Sequence, residues 1–285
     1  LMSEDLGVSE AIIGQLVTLY ALTFAICGPI LVKLTNRFAV RPVLLWTLVA
    51  FIIGNAMIAM APNFTILVIG RILSSAAASL IIVKVLALTA MLTIPKNRGK
   101  MIGVVYTGFS GANVFGVPIG TMIGDAIGWR FTFLFIIIVS VIAGVLMMVY
   151  LPSTSELNQV QRQWGSTSNK QLNTSKILRP AEVVKYLAIT FLILVANSVT
   201  FVYINPLILN NGHQMGFVSL ALLVNGIAGV IGTSLGGILA DKLGSKRWLI
   251  IAFSIFIVMM LMMNLILHTV TLLLIGLFIW NIVQW

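Results

Sequence analysis

Charge is the first scarcity. Only 8% of the 285 residues are Asp, Glu, Lys or Arg, while 60% are hydrophobic. A soluble domain carries about 25% charged residues, so a soluble enzyme and a disordered tail are both excluded. Cysteine is scarcer still. Cys27 stands alone, so no internal disulfide scaffold exists, and its place in an apolar run is that of a buried thiol. With two histidines and no Cys/His cluster, no metal-ligand set presents itself. Acid is sparse as well: seven Asp and Glu face 17 Lys and Arg, for a net charge of +10. Such a balance ordinarily raises nucleic acid as a partner, so the positions of the basic residues decide the matter.

In place of charge the chain has apolar length. A bilayer core takes about 20 apolar residues per helix. Runs of that order lie near 11–32, 43–61, 66–92, 101–124, 131–151, 183–207, 215–239 and 248–267. A last run, from 270 to Trp285, has 16 residues and is too short to cross. The pattern predicts an all-α membrane protein: a polytopic helix bundle with eight complete spans and a truncated one.

Lys33, Arg37 and Arg41 follow the first span, and Lys96, Arg98 and Lys100 the third. Arg162, Lys170, Lys176, Arg179 and Lys185 follow the fifth, and Lys242, Lys246 and Arg247 the seventh. The alternate loops carry almost none, so 14 of the 17 basic residues share one side, which marks it as cytoplasmic. The basic excess is therefore a topology signal. Nucleic acid drops out, and the lipid bilayer is the expected partner. Trp46 and Trp248 near the inner boundary and Trp129 near the outer one fit interfacial belts. Residues 1–10 then lie outside, which predicts one more span upstream. The short final run predicts further sequence downstream, so the chain reads as an internal fragment of a longer protein.

Residues 152–180 form the long polar stretch, with 15 of 29 being Ser, Thr, Asn or Gln. It reads as a cytoplasmic linker with little to pack. The expected division is an N-terminal half over 1–151, a linker over 152–182 and a truncated C-terminal half over 183–285. A repeat crosses that linker at an offset of 205: Leu34, Arg37, Arg41 and Leu44 correspond to Leu239, Lys242, Lys246 and Leu249.

The second copy, Gly237-x-Leu239-Ala240-Asp241-Lys242-x-Gly244-x-Lys246-Arg247, resembles the inter-helix signature of the major facilitator superfamily. In the first copy Val32, Asn36 and Ala39 stand where that family usually has Gly, Asp and Gly. Arg71, in Gly70-Arg71-Ile72-Leu73, resembles the fourth-helix arginine motif. Gly116-Val117-Pro118-Ile119-Gly120 resembles the fifth-helix antiporter motif, followed by Gly128-Trp129-Arg130-x-x-Phe133. The resemblance covers essentially the whole chain and is nearest the drug/proton antiporter branch, similar to bacterial purine- and sugar-efflux pumps. It implies two parallel six-helix halves. The chain would hold family helices 2–6 and 7–10, without helix 1 and the C-terminal helices.

The resemblance also assigns roles. Asp241, Gly237, Gly244, Lys246 and Arg247, with Arg37 and Arg41 of the first copy, would form a cytoplasmic latch. Arg71 would be a cavity charge, since a guanidinium inside a span is expensive and usually functional. Lys84 lies 13 positions further along the same helix, about 140° around from Arg71. It matches no family motif and reads equally as a functional cation or a snorkelling one.

Gly108, Ala112, Gly116, Gly120 and Gly124 form a small-residue ridge at steps of four, with Pro118 among them. The ridge predicts close helix packing. By resemblance, Gly116, Pro118 and Gly120 would make the tight hinge contact between the halves. Tyr20, Asn113, Asn197, Tyr203 and Asn225 are polar groups in apolar spans, where they bond other helices or touch substrate.

No nucleophile–base–orienter set is present, so no enzyme, cofactor or metal is expected. The acidic residues are Glu4, Asp5, Glu10, Asp125, Glu156, Glu182 and Asp241, and none lies deep in a span. By resemblance, a proton-coupling carboxylate would sit in the family's first helix. The expected function is export of small organic molecules of drug, nucleobase, nucleoside or sugar type. It would run by proton antiport with alternating access, as a monomer in the bacterial plasma membrane. The alternatives are a uniporter or importer of small metabolites, and a non-transporting remnant of a disrupted transporter gene.

Overall fold

A computed structural model describes residues 2–160, 184–185, 188, 191–192, 195, 215–266 and 270–284. Most of the expected span at 183–207 and most of the linker lie outside the described residues. Every regular element among the described residues is helical. Inside a bilayer each backbone N–H and C=O must be satisfied within the protein, and helices do this segment by segment.

The elements are α1 (Met2–Leu6), α2 (Glu10–Thr35), α3 (Val40–Ala59), α4 (Phe64–Leu92), α5 (Arg98–Gly111), α6 (Val117–Ile127) and α7 (Trp129–Tyr150). Then come α8 (Met215–Leu243), α9 (Ser245–Ile266) and α10 (Val270–Gln284). Among the described residues, five stretches are long and apolar enough to cross a membrane: Ala11–Thr35, Val40–Ala59, Phe64–Leu92, Trp129–Tyr150 and Leu223–Leu243. The expected span over 101–124 is one course of helix with an interruption, since a π segment at Ala112–Gly116 separates α5 from α6. Large apolar side chains stand on the outer faces of these helices, Trp46 at 73% exposure among them. Lipid tolerates such a surface and water does not.

Local signals set the ends. Ser9 caps α2 by accepting from the Ile12 N–H, and Asn63 does the same for Ile66 at the start of α4. Gly244 ends α8 with φ +84°, a conformation that glycine adopts without strain.

The described chain forms two compact units. The first comprises residues 1–92 and 117–165, and the second 93–116 and 166–285. In the first unit α3 and α4 meet backbone to backbone. A methyl group at Gly54 would come 2.7 Å from the Ser74 nitrogen, and one at Gly70 would come 2.8 Å from the Gly54 carbonyl oxygen. Leu16, Ile58, Leu67 and Phe133 pack together at one end of this unit. At the other end Val40, Leu44 and Leu88 enclose Leu157. Leu157 is 2% exposed and lies in a helical stretch over 154–160. The beginning of the presumed linker is therefore packed, because one leucine in a polar stretch suffices to anchor it. In the second unit α8 packs against α5, α9 and α10.

Candidate functional site

The acid of the intact repeat copy caps a helix distant in sequence. The first amides of α5 need partners from outside the helix, and Asn97, at the N-cap position, provides no side-chain bond. Asp241, in the last turn of α8, fills that place. Its carboxylate accepts from the Gly99 N–H at 2.9 Å and from the Lys100 N–H at 2.7 Å. Both bonds are exposed, and a charged acceptor at an exposed helix N-terminus is worth about 0.3–1 kcal/mol.

The close approach depends on glycines. A methyl group at Gly99 would come 2.6 Å from the Asp241 Oδ1 and 2.7 Å from the Gly237 carbonyl oxygen. One at Gly237 would collide with the Gly99 carbonyl, and one at Gly103 would come 2.6 Å from the Thr233 carbonyl oxygen. Further along, the Thr107 hydroxyl bonds the Ser234 hydroxyl at 2.7 Å and that of Thr233 at 3.3 Å. Val114 and Gly226 meet beyond them. The result is an antiparallel seam between α5 and α8, joining the two expected halves of the sequence inside one compact unit.

The α5–α8 seam is a close contact separate from the small-residue ridge read in the sequence. Among the described residues, a methyl group at Gly108 or Gly116 would meet nothing within 4 Å, and one at Gly120 would touch Thr132 at 3.4 Å. Spacing by fours identifies a ridge but not the neighbour that fills it, and the tight contact here falls to Gly99, Gly103 and Gly237. Pro118 lies at the start of α6 and Asn113 in the π segment; their side chains lie outside what is described, as do Asn197 and Tyr203 altogether.

The remaining basic members of the two loop motifs act separately. Arg41 donates to the Met148 carbonyl at 2.9 Å and the Pro152 carbonyl at 3.3 Å, covering the open C-terminal end of α7. Arg37 stacks on Phe38, 5.1 Å from its ring centre. Lys242, Lys246 and Arg247 are exposed around Gly244.

Arg71 lies within the first unit, its guanidinium 5.1 Å from the Phe133 ring centre and 5.9 Å from that of Tyr20. Its Nε is buried and has no hydrogen-bond partner. The two rings hold the cation by their π faces and leave hydrogen-bonding capacity for an acceptor. Phe133 belongs to the Gly128-Trp129-Arg130 segment, but nothing in the sequence places it against Arg71. Lys84 is elsewhere on α4, as the angular separation requires. It is 6% exposed and donates to the Asn36 side-chain oxygen at 3.2 Å.

A polar cluster at the end opposite the basic loops was not foreseen. Arg130 pairs with Asp5 of α1, donates to the Ala61 carbonyl at 3.0 Å and covers the Trp129 ring at 4.4 Å. The Trp129 indole N–H also donates to Asp5, at 3.2 Å. The Arg130 hydrogen bond holds the Asp5 carboxyl below its ordinary range, with a smaller contribution from Trp129. No group of three or more His, Cys, Asp or Glu residues gathers as a metal site among the described residues.

Comparison with known proteins gives a single family. The model of the Major Facilitator Superfamily matches residues 1–285. The uncharacterized MFS-type transporter YbcL of Bacillus subtilis is 29% identical over 285 residues, covering the whole chain and 71% of the relative. YtbD of the same organism, another uncharacterized MFS-type transporter, is 32% identical over 259 residues, 90% of this chain and 62% of its own. The purine ribonucleoside efflux pump NepI of Shigella sonnei is 27% identical over 242 residues, 85% of this chain and 59% of its own. The chain thus spans between 59% and 71% of these relatives' lengths.

Proposed function

This chain belongs to the major facilitator superfamily, and from that premise we propose that it exports small organic molecules across the bacterial plasma membrane by proton antiport. Alternating access in this superfamily is a rocking of two halves about a site near the bilayer midplane. Such a motion needs a contact that is firm in one state and breaks in the other. The observation that carries the reading is the Asp241 carboxylate on the Gly99 and Lys100 amides, a charge-assisted cap between helices from the two halves of the sequence. Similarity to a purine ribonucleoside efflux pump supports export of nucleoside-like molecules. Arg71, between Tyr20 and Phe133 with an unpaired N–H, is the charge offered to a substrate acceptor.

Uniport is the second reading. Among the described residues, the carboxylate within the five apolar stretches is Asp241, in the last turn of α8, where it is engaged in capping α5.

The test is accumulation of labelled adenosine in cells carrying the protein. Antiport predicts lower accumulation than in empty-vector cells, restored by a protonophore, and loss of the effect in Arg71→Lys because an ammonium lacks the planar stacking face. Insensitivity to the protonophore would favour uniport. Accumulation equal to the control, repeated with drug and sugar substrates, would refute export.

A further inference from the structure

The two rings that hold Arg71 are themselves held. Tyr20 is fixed from α4, where Ser75, one turn beyond Arg71, donates its hydroxyl to the Tyr20 carbonyl at 2.6 Å. Phe133 is fixed from the start of its own helix. The Trp129 ring, one turn earlier on α7, meets it edge to face, with centres 6.1 Å apart and planes at 84°. That arrangement sets the positive edge of one ring against the negative face of the other.

Trp129 has more anchoring than packing alone requires. Its indole N–H donates to the Asp5 carboxylate at 3.2 Å, and the Arg130 guanidinium covers its ring at 4.4 Å. Arg130 in turn pairs with Asp5 and donates to the Ala61 carbonyl between α3 and α4. Gly128, with φ +109°, starts α7 in a conformation that side chains rarely adopt, and so sets Trp129 at the first position of the helix. Met2 and Leu6 of α1 pack on the cluster that contains Phe133, which brings Asp5 to the indole. These contacts fix the plane of the indole, and the indole fixes the tilt of the Phe133 ring.

Phe133 is 7% exposed and lies 5.1 Å from the Arg71 guanidinium. Cation–π attraction requires the ring to present its face, so the tilt of Phe133 governs where the guanidinium and its unpaired Nε–H point. Contacts therefore run without a break from Asp5 through Trp129 and Phe133 to Arg71, all within the first unit.

We propose that Trp129 is a positioning residue for the Arg71 site: tethered to Asp5, it holds the Phe133 ring against the guanidinium and so aims the Nε–H at a substrate acceptor. Binding groups keep a productive geometry only where a second layer of contacts locks them, and Trp129 with Asp5 supplies that layer. The proposal rests on the exporter reading for its substrate, and names which residues outside the site set the affinity.

Two measurements test it, and one needs no substrate. In protein isotopically labelled in its arginines, the Arg71 Nε–H resonance is identified by its loss in Arg71→Lys. Its position reports the adjacent ring, because an aromatic ring current shifts a proton lying over its face. Adenosine affinity is measured by calorimetry on the same samples. Trp129→Leu and Asp5→Ala should both move the resonance and weaken adenosine binding, about fivefold for Trp129→Leu and less for Asp5→Ala. Trp129→Phe, which keeps a ring against Phe133, should restore most of both. A role in packing alone lowers the melting temperature and leaves the resonance in place; that result in either variant would overturn the proposal. A moved resonance with unchanged adenosine affinity would overturn it as well. Should Trp129→Leu fail to fold, Asp5→Ala decides, since that side chain is exposed. Wild-type protein that binds no adenosine, with the resonance moving as expected, would refute the substrate reading and leave the positioning of Arg71 standing.

Discussion

The Lys84 ammonium, buried on α4, donates to the Asn36 side-chain oxygen 3.2 Å away, at the position where the second repeat copy places Asp241. The two copies therefore do different work. Asp241 caps the N-terminus of α5, a helix 142 positions away in sequence, whereas Asn36 is engaged by a cation from α4. An asparagine suffices there because it accepts one hydrogen bond. It carries no charge to neutralise the lysine, so the pair depends on that single bond.

Removing the acceptor should consequently be costly. Asn36→Ala leaves a buried ammonium without its partner, and an orphaned buried polar group costs about 1–3 kcal/mol, more if charged. Thermal unfolding of the purified protein should register that loss. Lys84→Met should recover most of it in the Asn36→Ala background, since the buried charge is then gone. Equal melting of wild type and Asn36→Ala would mean that Lys84 finds another acceptor at no cost.

The glycines of the seam should be intolerant in a position-specific way. Gly103→Ala places a methyl group 2.6 Å from a backbone oxygen that cannot swing aside, and overpacking of this kind costs about 1–3 kcal/mol. Gly237→Ala should behave alike. Gly116→Ala meets nothing within 4 Å among the described residues and should be close to neutral. Thermal stability of the three variants checks the ranking; Gly116→Ala as harmful as Gly103→Ala would move the tight contact back to the ridge expected from the sequence.

That contrast shows what the sequence discloses. Apolar length sets the spans, so 43–61 and 66–92 were read within a few residues of α3 and α4. Length in a bilayer is a one-dimensional property and survives without tertiary information. The motif copy also pointed to Asp241 as part of a cytoplasmic latch. Its partner was beyond reading, because Gly99 and Asp241 are 142 positions apart and nothing local to either names the other. The ring beside Arg71 carried no signal for the same reason. Helical spacing pairs Trp129 with Phe133, and only the finished packing brings Arg71 over that second ring.

Acid should loosen the cluster at the other end. Arg130 depresses the Asp5 carboxyl below its ordinary 3.8, so the folded protein binds that proton more weakly than the unfolded chain. Its stabilisation is then complete above pH 3.8 and is lost as pH falls through the lower folded value. Asp5→Asn lacks this component. The melting temperatures of wild type and Asp5→Asn should differ by a constant amount at neutral pH and converge below about pH 4. A difference that persists unchanged at pH 3 would show that Asp5 is not the titrating group.

The central claim is that Asp241 on the α5 N-terminus holds the seam shut, and labelling inside the seam tests it most directly. Ser234→Cys, in a Cys27→Ser background, places a small thiol where the Ser234 hydroxyl now meets Thr107. Its rate of reaction with an impermeant maleimide from the cytoplasmic side, in inside-out vesicles, reports opening. Loss of about 1 kcal/mol from the cap shifts the open population about fivefold. Asp241→Asn should therefore raise the labelling rate about fivefold at matched expression, while Asn36→Ala should change it less than twofold. Equal rates in the presence and absence of the Asp241 carboxylate would contradict the account.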